Sequence, residues 1–169
     1  ISRCLLDTTI MRIADMILAF PDIVFAIAVA VMLGPGMLNT ILALSVIWWT
    51  KYAKLTRILV IGAAAKDYMD AGKMAGAGKF KLVTRYLFPN IISPLFVQLA
   101  LDIGNMMLAL AGLSFLGLGV QPPVPELGNM LSEGREYMQT APWLLIYPGL
   151  AIFAIVVVFN LLGDTVRDY

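Results

Sequence analysis

The chain has 169 residues, of which 60% are hydrophobic and 14% charged, and its net charge is +1. Soluble domains carry roughly 25% charged residues, so this much apolar surface calls for lipid, and nothing in a near-neutral chain calls for nucleic acid. There is no histidine and one cysteine, Cys4, which removes the usual general base and the commonest metal ligand and excludes a disulfide framework or a CxxC metal site.

At about 20 residues per span plus loops, about four transmembrane helices fit, so the expected fold is an all-α polytopic membrane protein. The chain opens Ile1-Ser2-Arg3-Cys4 with no initiator Met and no signal-peptide pattern, and reads as part of a longer chain. A first span is predicted over 13–33, kinked by Pro21-Asp22 or broken there into a short half-helix and a longer one. Gly34-Pro35-Gly36 is a turn. A second span over 38–58 carries Trp48 and Trp49 and leaves the membrane through Lys51, Lys54 and Arg57. A loop over 63–90 follows, then a third span over 91–116. Gly117 and Gly119 end it, and Pro122, Pro123 and Pro125 forbid its continuation. The polar loop 119–142 has room for a short surface helix between Glu126 and Gln139. The fourth span, 143–162, starts with Trp143, Tyr147 and Pro148-Gly149. Gly163, Asp164, Arg167 and Asp168 leave it.

The basic residues set the orientation. Arg3, Arg12, Lys51, Lys54, Arg57, Lys66, Lys73, Lys79, Lys81, Arg85 and Arg167 fall on one side and Arg135 alone on the other. The positive-inside rule places the 63–90 loop and both ends in the cytoplasm. Within that loop Asp67 and Asp70 sit early in a helix, where acids favour the positive dipole end, and Lys73 is spaced to pair with Asp70. Gly76 and Gly78 would end that helix through a left-handed turn. Phe80, Leu82, Val83 and Leu87 are spaced to pack a second short helix onto the membrane base, with Pro89 starting the next span. A basic helix lying on anionic lipid explains the same charges.

The third span contains Gln98, Asp102 and Asn105, which at 100° per residue fall within about 60° of one face. Ala109 and Gly112 continue the stripe. An ionisable residue at mid-membrane costs roughly 2.5–3.5 kcal/mol and marks a function by default. The face either lines a pathway or bonds to a neighbouring helix. Met106 and Met107 read as packing, and no metal site is assigned.

Several strings, in order, resemble one family. Asp70-Ala71-Gly72, Gly76 after three residues, and the run ending Leu87-Phe88-Pro89-Asn90 look like the EAA motif of permease subunits of ABC importers. Met11 to Asp15 with Ala19-Phe20-Pro21, Tyr52 to Arg57, Leu113 to Val120, Ala141-Pro142-Trp143, Pro148-Gly149-Leu150 and Phe159 to Asp164 resemble its dipeptide, oligopeptide and nickel branch. The chain departs from the motif at Asp70, where Glu is usual, and at Gly72, where Ala is usual and Gly costs a helix about 0.8–1.0 kcal/mol.

The resemblance implies the last four of six spans of a permease in a bacterial or archaeal cell membrane. It further implies two ATP-binding cassette subunits, a second and non-identical permease, and an external binding protein as partners. The 63–90 loop would then be the coupling loop, with Asp70, Ala71, Gly72 and Gly76 docking the ATPase and Tyr68 and Met74 as contacts. The chain has no phosphate-binding Gly-rich loop of its own, so it is a transport subunit without cofactor, and ATP belongs to the partner. The cargo would be peptides, nickel or a nickel chelate; the run Asp102 to Met107 looks somewhat more like the nickel type. The competing reading is an ion-coupled secondary transporter or channel that uses Asp102.

Overall fold

A computed structural model describes residues 5–167; Arg3, Cys4 and Asp168 lie outside them. The elements are α1 (Leu5–Leu18), α2 (Asp22–Leu33), α3 (Met37–Ala64), α4 (Asp67–Met74), α5 (Lys79–Lys81), a π-helical segment (Leu82–Leu87), α6 (Phe88–Phe115), α7 (Leu127–Gly134), a short 3-10 turn (Arg135–Tyr137) and α8 (Trp143–Arg167). All described regular structure is helical, as the composition and apolar runs require.

The four expected spans differ in kind. Two helices are long and apolar enough to cross a membrane, Lys79–Phe115 and Trp143–Thr165, and three if the pair formed by α1 and α2 counts as one broken span. That pair is bent by 95°, so residues 13–33 do not form one kinked helix. Pro21 lacks an N–H and disfavours helix in the residue before it, and α2 restarts at Asp22 with an acid in its first turn. α3 has 28 residues, about 42 Å at 1.5 Å per residue. It is long enough to span, but Lys51, Lys54 and Arg57 make its second half cationic.

Those cations have partners. Lys51 pairs with Asp22, Lys54 with Asp15 at 2.6 Å and Arg57 with Asp7 at 2.9 Å. The order reverses along the two segments, so α1 lies antiparallel along α3, and its acids Asp7 and Asp15, followed by Asp22 at the start of α2, step past the cations of α3. Above this ladder, Ala26 and Ala30 of α2 meet Ala43 and Ile47 of α3 and Leu113 of α6 in a buried cluster. Small side chains let the three backbones approach, the usual basis of helix packing in lipid.

α6 and α8 form the most extensive helix pair, and glycines bring them together. A Cβ on Gly104 would lie 3.1 Å from Asn160 Oδ1, and one on Gly163 would lie 2.6 Å from Leu101 Cδ2. Gly163 therefore does not end the helix, as its composition suggested. It is buried inside α8, which runs on to Arg167. Nor does the helix that holds the third span start at Pro89. Helix is continuous from Lys79 to Phe115, 37 residues. Pro89 cannot donate to the carbonyl one turn back and its ring crowds that oxygen, and the segment just before it takes the wider π form. Asn90 Nδ2 donates to the Tyr86 carbonyl at 2.6 Å.

At the far end the expected stop is present. Gly117 adopts φ 78°, Gly117 N–H donates to the Ser114 carbonyl and Leu118 N–H to the Leu113 carbonyl, a Schellman cap. Gly119 acts differently: it has no room for a Cβ against Ser114. The Gly34–Gly36 turn is tied to this cap, because Thr40 Oγ1 lies 2.9 Å from both the Gly36 and the Leu118 carbonyl oxygens. α7 is capped by Glu126, whose carboxylate accepts from Asn129 N–H at 2.9 Å. It is not a helix resting on a surface. Gly128 abuts the Ala111 backbone and Gly134 the Leu144 backbone, so α7 is tucked into the notch between α6 and α8.

Candidate functional site

Two features stand out, one at each depth of the molecule. The first is α4. Its two turns are closed by Gly76, with φ 73°, whose N–H donates to the Lys73 carbonyl while Ala77 N–H donates to the Gly72 carbonyl. Gly78 is not left-handed; its φ of −64° and ψ of 160° make it the extended residue that starts α5. Asp70 and Lys73 pair at 2.7 Å across one turn, an exposed contact of about 0.2–0.5 kcal/mol.

The residues named from the sequence divide into two faces. Asp70, Ala71 and Gly76 are exposed, and Met74 is 90% exposed. Tyr68 is half-buried. Gly72 is buried, and a Cβ there would lie 2.9 Å from Leu82 Cδ2 and 3.3 Å from Tyr86 Cε1. Its missing side chain serves contact within the chain, not a contact outside it. The sequence reading missed Met69, which is 7% exposed; Met69 and Gly72, spaced i and i+3, form the inner face of α4. Phe80, expected to pack on the membrane base, is 82% exposed. It precedes the π segment on the one continuous helix and has no separate short helix to anchor.

The second feature is a cavity of about 310 Å³ between α2, α3 and α6, lined by Asp22, Lys51, Trp48, Asp102, Asn105 and Ala109 among others. Asp102 is 8% exposed, and its Oδ2 accepts a 2.9 Å hydrogen bond from the Tyr52 hydroxyl. It is thus both a link from α6 to α3 and part of the cavity wall. Lys51 Nζ stands 4.8 Å from the Trp48 ring centre, a cation–π distance. Asn105 is exposed on the wall.

The structure brings together Asp102, Asn105 and Ala109 but not the rest of the stripe. Gln98 belongs to a separate concavity with Ser93, Pro94, Val97 and Leu101. Gly112 faces an apolar groove shared with Leu131, Gly149 and Ile152. Helices cross at an angle, so one stripe of α6 meets α3 over two turns and then other neighbours. Asp22 and Lys51 lie on other elements, and no spacing within α6 leads to them. Asn160, a further polar residue of the membrane interior, sits against Gly104 instead of the cavity.

Comparison with known proteins places these features in a family. Residues 3–169 match the profile of the binding-protein-dependent transport system inner membrane component. The dipeptide transport system permease protein DppC of Haemophilus influenzae is 45% identical over 163 residues, covering 96% of this chain and 55% of that protein. DppC of Escherichia coli is 42% identical over 159 residues, 94% of this chain and 53% of its own length. The nickel transport system permease protein NikC of Escherichia coli is 40% identical over 163 residues, 96% of this chain and 59% of its own. The chain thus spans little more than half the length of these curated relatives. The match from residue 3 to residue 169, on a helical chain with membrane-crossing segments, makes this a membrane protein of the binding-protein-dependent transport system inner membrane component family.

Proposed function

We propose that the chain forms part of one permease subunit of an ATP-driven importer, in which α4 docks a cytoplasmic ATPase and α2, α3 and α6 border the route of the cargo. The observation that carries this reading is the pair of faces on α4. Met69 and Gly72 bind the helix to the chain, while Asp70, Ala71 and Met74 face outward. An apolar side chain as exposed as Met74, on a helix bordered by Lys66, Lys73 and Lys79, is suited to an apolar cleft with an acidic rim. α4 rests on the π segment of a 37-residue helix, about 55 Å long. A push on α4 would reach the cavity along one continuous helix.

The remaining parts follow from the family. The partners are two ATP-binding cassette subunits, a second and non-identical permease, and an external substrate-binding protein. ATP is bound and hydrolysed by the cassette subunits, and the chain itself carries no catalytic residue. The orientation puts α4 in the cytoplasm and the loop 119–142 outside, in a bacterial or archaeal cell membrane. DppC and NikC carry dipeptide and nickel transport in their names, and the cargo proposed here is a peptide or nickel, free or chelated.

Met74→Asp tests the reading, because that side chain is 90% exposed and its change leaves the fold in place. The full-length variant should reach the membrane at the normal level, lose the co-purifying ATPase and lose uptake. Unchanged uptake would remove α4 from the mechanism. The competing reading, gradient-driven transport through Asp102, rests on the burial of that carboxylate beside a cavity. Uptake sustained by a proton or sodium gradient without ATP would favour it.

A further inference from the structure

The cavity between α2, α3 and α6 carries unequal charge. Its wall holds two carboxylates, Asp22 and Asp102, and one ammonium, Lys51. Lys51 is committed to Asp22 and to the Trp48 ring. Among the described residues Asp102 receives only a neutral hydroxyl, that of Tyr52. One negative charge is therefore left over at membrane depth, and a buried charge without a counter-ion is costly.

We infer that this cavity is a cation subsite that takes the ammonium group of the cargo, with Asp102 as its counter-ion. The inference rests on the transport reading above and adds to it the chemistry that the route accepts. An ammonium offers three donors. Asp102 supplies a carboxylate oxygen, Asn105 can present its side-chain carbonyl from the same wall, and the indole of Trp48 already binds one ammonium, that of Lys51. Tyr52 is a positioning residue: its hydroxyl fixes the carboxylate and leaves the second oxygen for the guest. At about 310 Å³ the cavity has room for an amino-terminal residue. A nickel ion fits less well, because nickel favours imidazole ligands and the chain has no histidine.

The test reads the electrostatics of the cavity directly. In the assembled full-length transporter, native cysteines including Cys4 are replaced by Ser and Ala109→Cys, on the same wall but outside the proposed ligand set, is introduced. The new thiol is titrated with a cationic and an anionic methanethiosulfonate of similar size, each rate normalised to a free thiol. The cationic reagent should react at least about tenfold faster, since a charged cleft concentrates counter-ions by such factors. Asp102→Asn, which can keep the Tyr52 contact, should bring the two rates together. A dipeptide with a free amino group should protect the thiol, and its N-acetyl analogue should not.

Equal rates for the two reagents, or a preference that survives Asp102→Asn, would overturn the subsite. Protection by nickel chloride without protection by the dipeptide would overturn the ammonium assignment. Because thiol labelling requires neither ATP nor uptake, its outcome is separate from that of Met74→Asp.

Discussion

Gly72 is the position where two opposing effects can be separated. Gly72→Ala removes a helix penalty of about 0.8–1.0 kcal/mol. The same methyl would lie 2.9 Å from Leu82 Cδ2, with Tyr86 Cε1 and Cζ at 3.3 and 3.4 Å behind it. Leu82 must rotate away, at about 0.5–1.5 kcal/mol for an off-rotamer side chain, and overpacking of this kind costs about 1–3 kcal/mol in all. The clash therefore outweighs the propensity gain, and the net expectation is a loss of roughly 1 kcal/mol in the docking of α4 on the π segment. In a Leu82→Ala background the first obstacle is gone, and Gly72→Ala should stabilise α4 by most of the propensity term. Amide hydrogen exchange over 67–77, in the full-length protein in nanodiscs, reads both values at about tenfold in protection per 1.4 kcal/mol. The single substitution should lower protection roughly fivefold and the same change on Leu82→Ala should raise it by a similar factor, given these terms. The same sign in both backgrounds would refute the argument, since only the Leu82 contact reverses it.

Gly163→Ala forces a methyl to 2.6 Å from Leu101 Cδ2 and 3.0 Å from the Leu101 backbone nitrogen, so it should cost about 1–3 kcal/mol, read as a lower unfolding temperature in detergent; no change would mean that α6 and α8 do not cross there. Lys54→Ala breaks an ion pair whose side chains are 38% and 60% exposed, and should cost less than about 1 kcal/mol by the same assay. Thr40→Val keeps shape but takes a side-chain donor from the Gly36 and Leu118 carbonyls; a loss of about 1–2 kcal/mol is expected, with faster exchange confined to the Gly34–Gly36 turn and the Gly117 cap.

Much of this architecture is legible in the chain because local rules govern it. Pro21 separates α1 from α2, the left-handed glycines Gly76 and Gly117 cap their helices, and the three prolines after Val120 keep the long helix from resuming. The residues of α4 were readable as a set from the spacing of Asp70, Ala71 and Gly76, which the resemblance made recognisable. Other features depend on what comes close in space. Asp7, Asp15 and Asp22 are ordinary acids until α1 and the start of α2 lie along α3 and meet Arg57, Lys54 and Lys51. Gly163 reads as a stop, yet a glycine inside an apolar helix is also how two helices approach closely. Gly128 and Gly134 show the same ambiguity: only their contact with the Ala111 and Leu144 backbones makes α7 part of the helical core. The stripe from Gln98 to Gly112 was read as one face, but three neighbours divide it, and only its middle reaches the cavity.

The most direct test of the central claim is a cross-link from α4. Met74→Cys, in the cysteine-free full-length protein purified in mild detergent with its partners, is treated with a short cross-linker carrying a maleimide at one end and a photoreactive benzophenone at the other, irradiated, and the products are identified by mass spectrometry. The account predicts a single major adduct joining Cys at position 74 to an ATP-binding cassette subunit, lost when the cassette subunits are stripped away. Purification without any such subunit, or cross-links only to lipid and to the chain itself, would contradict it.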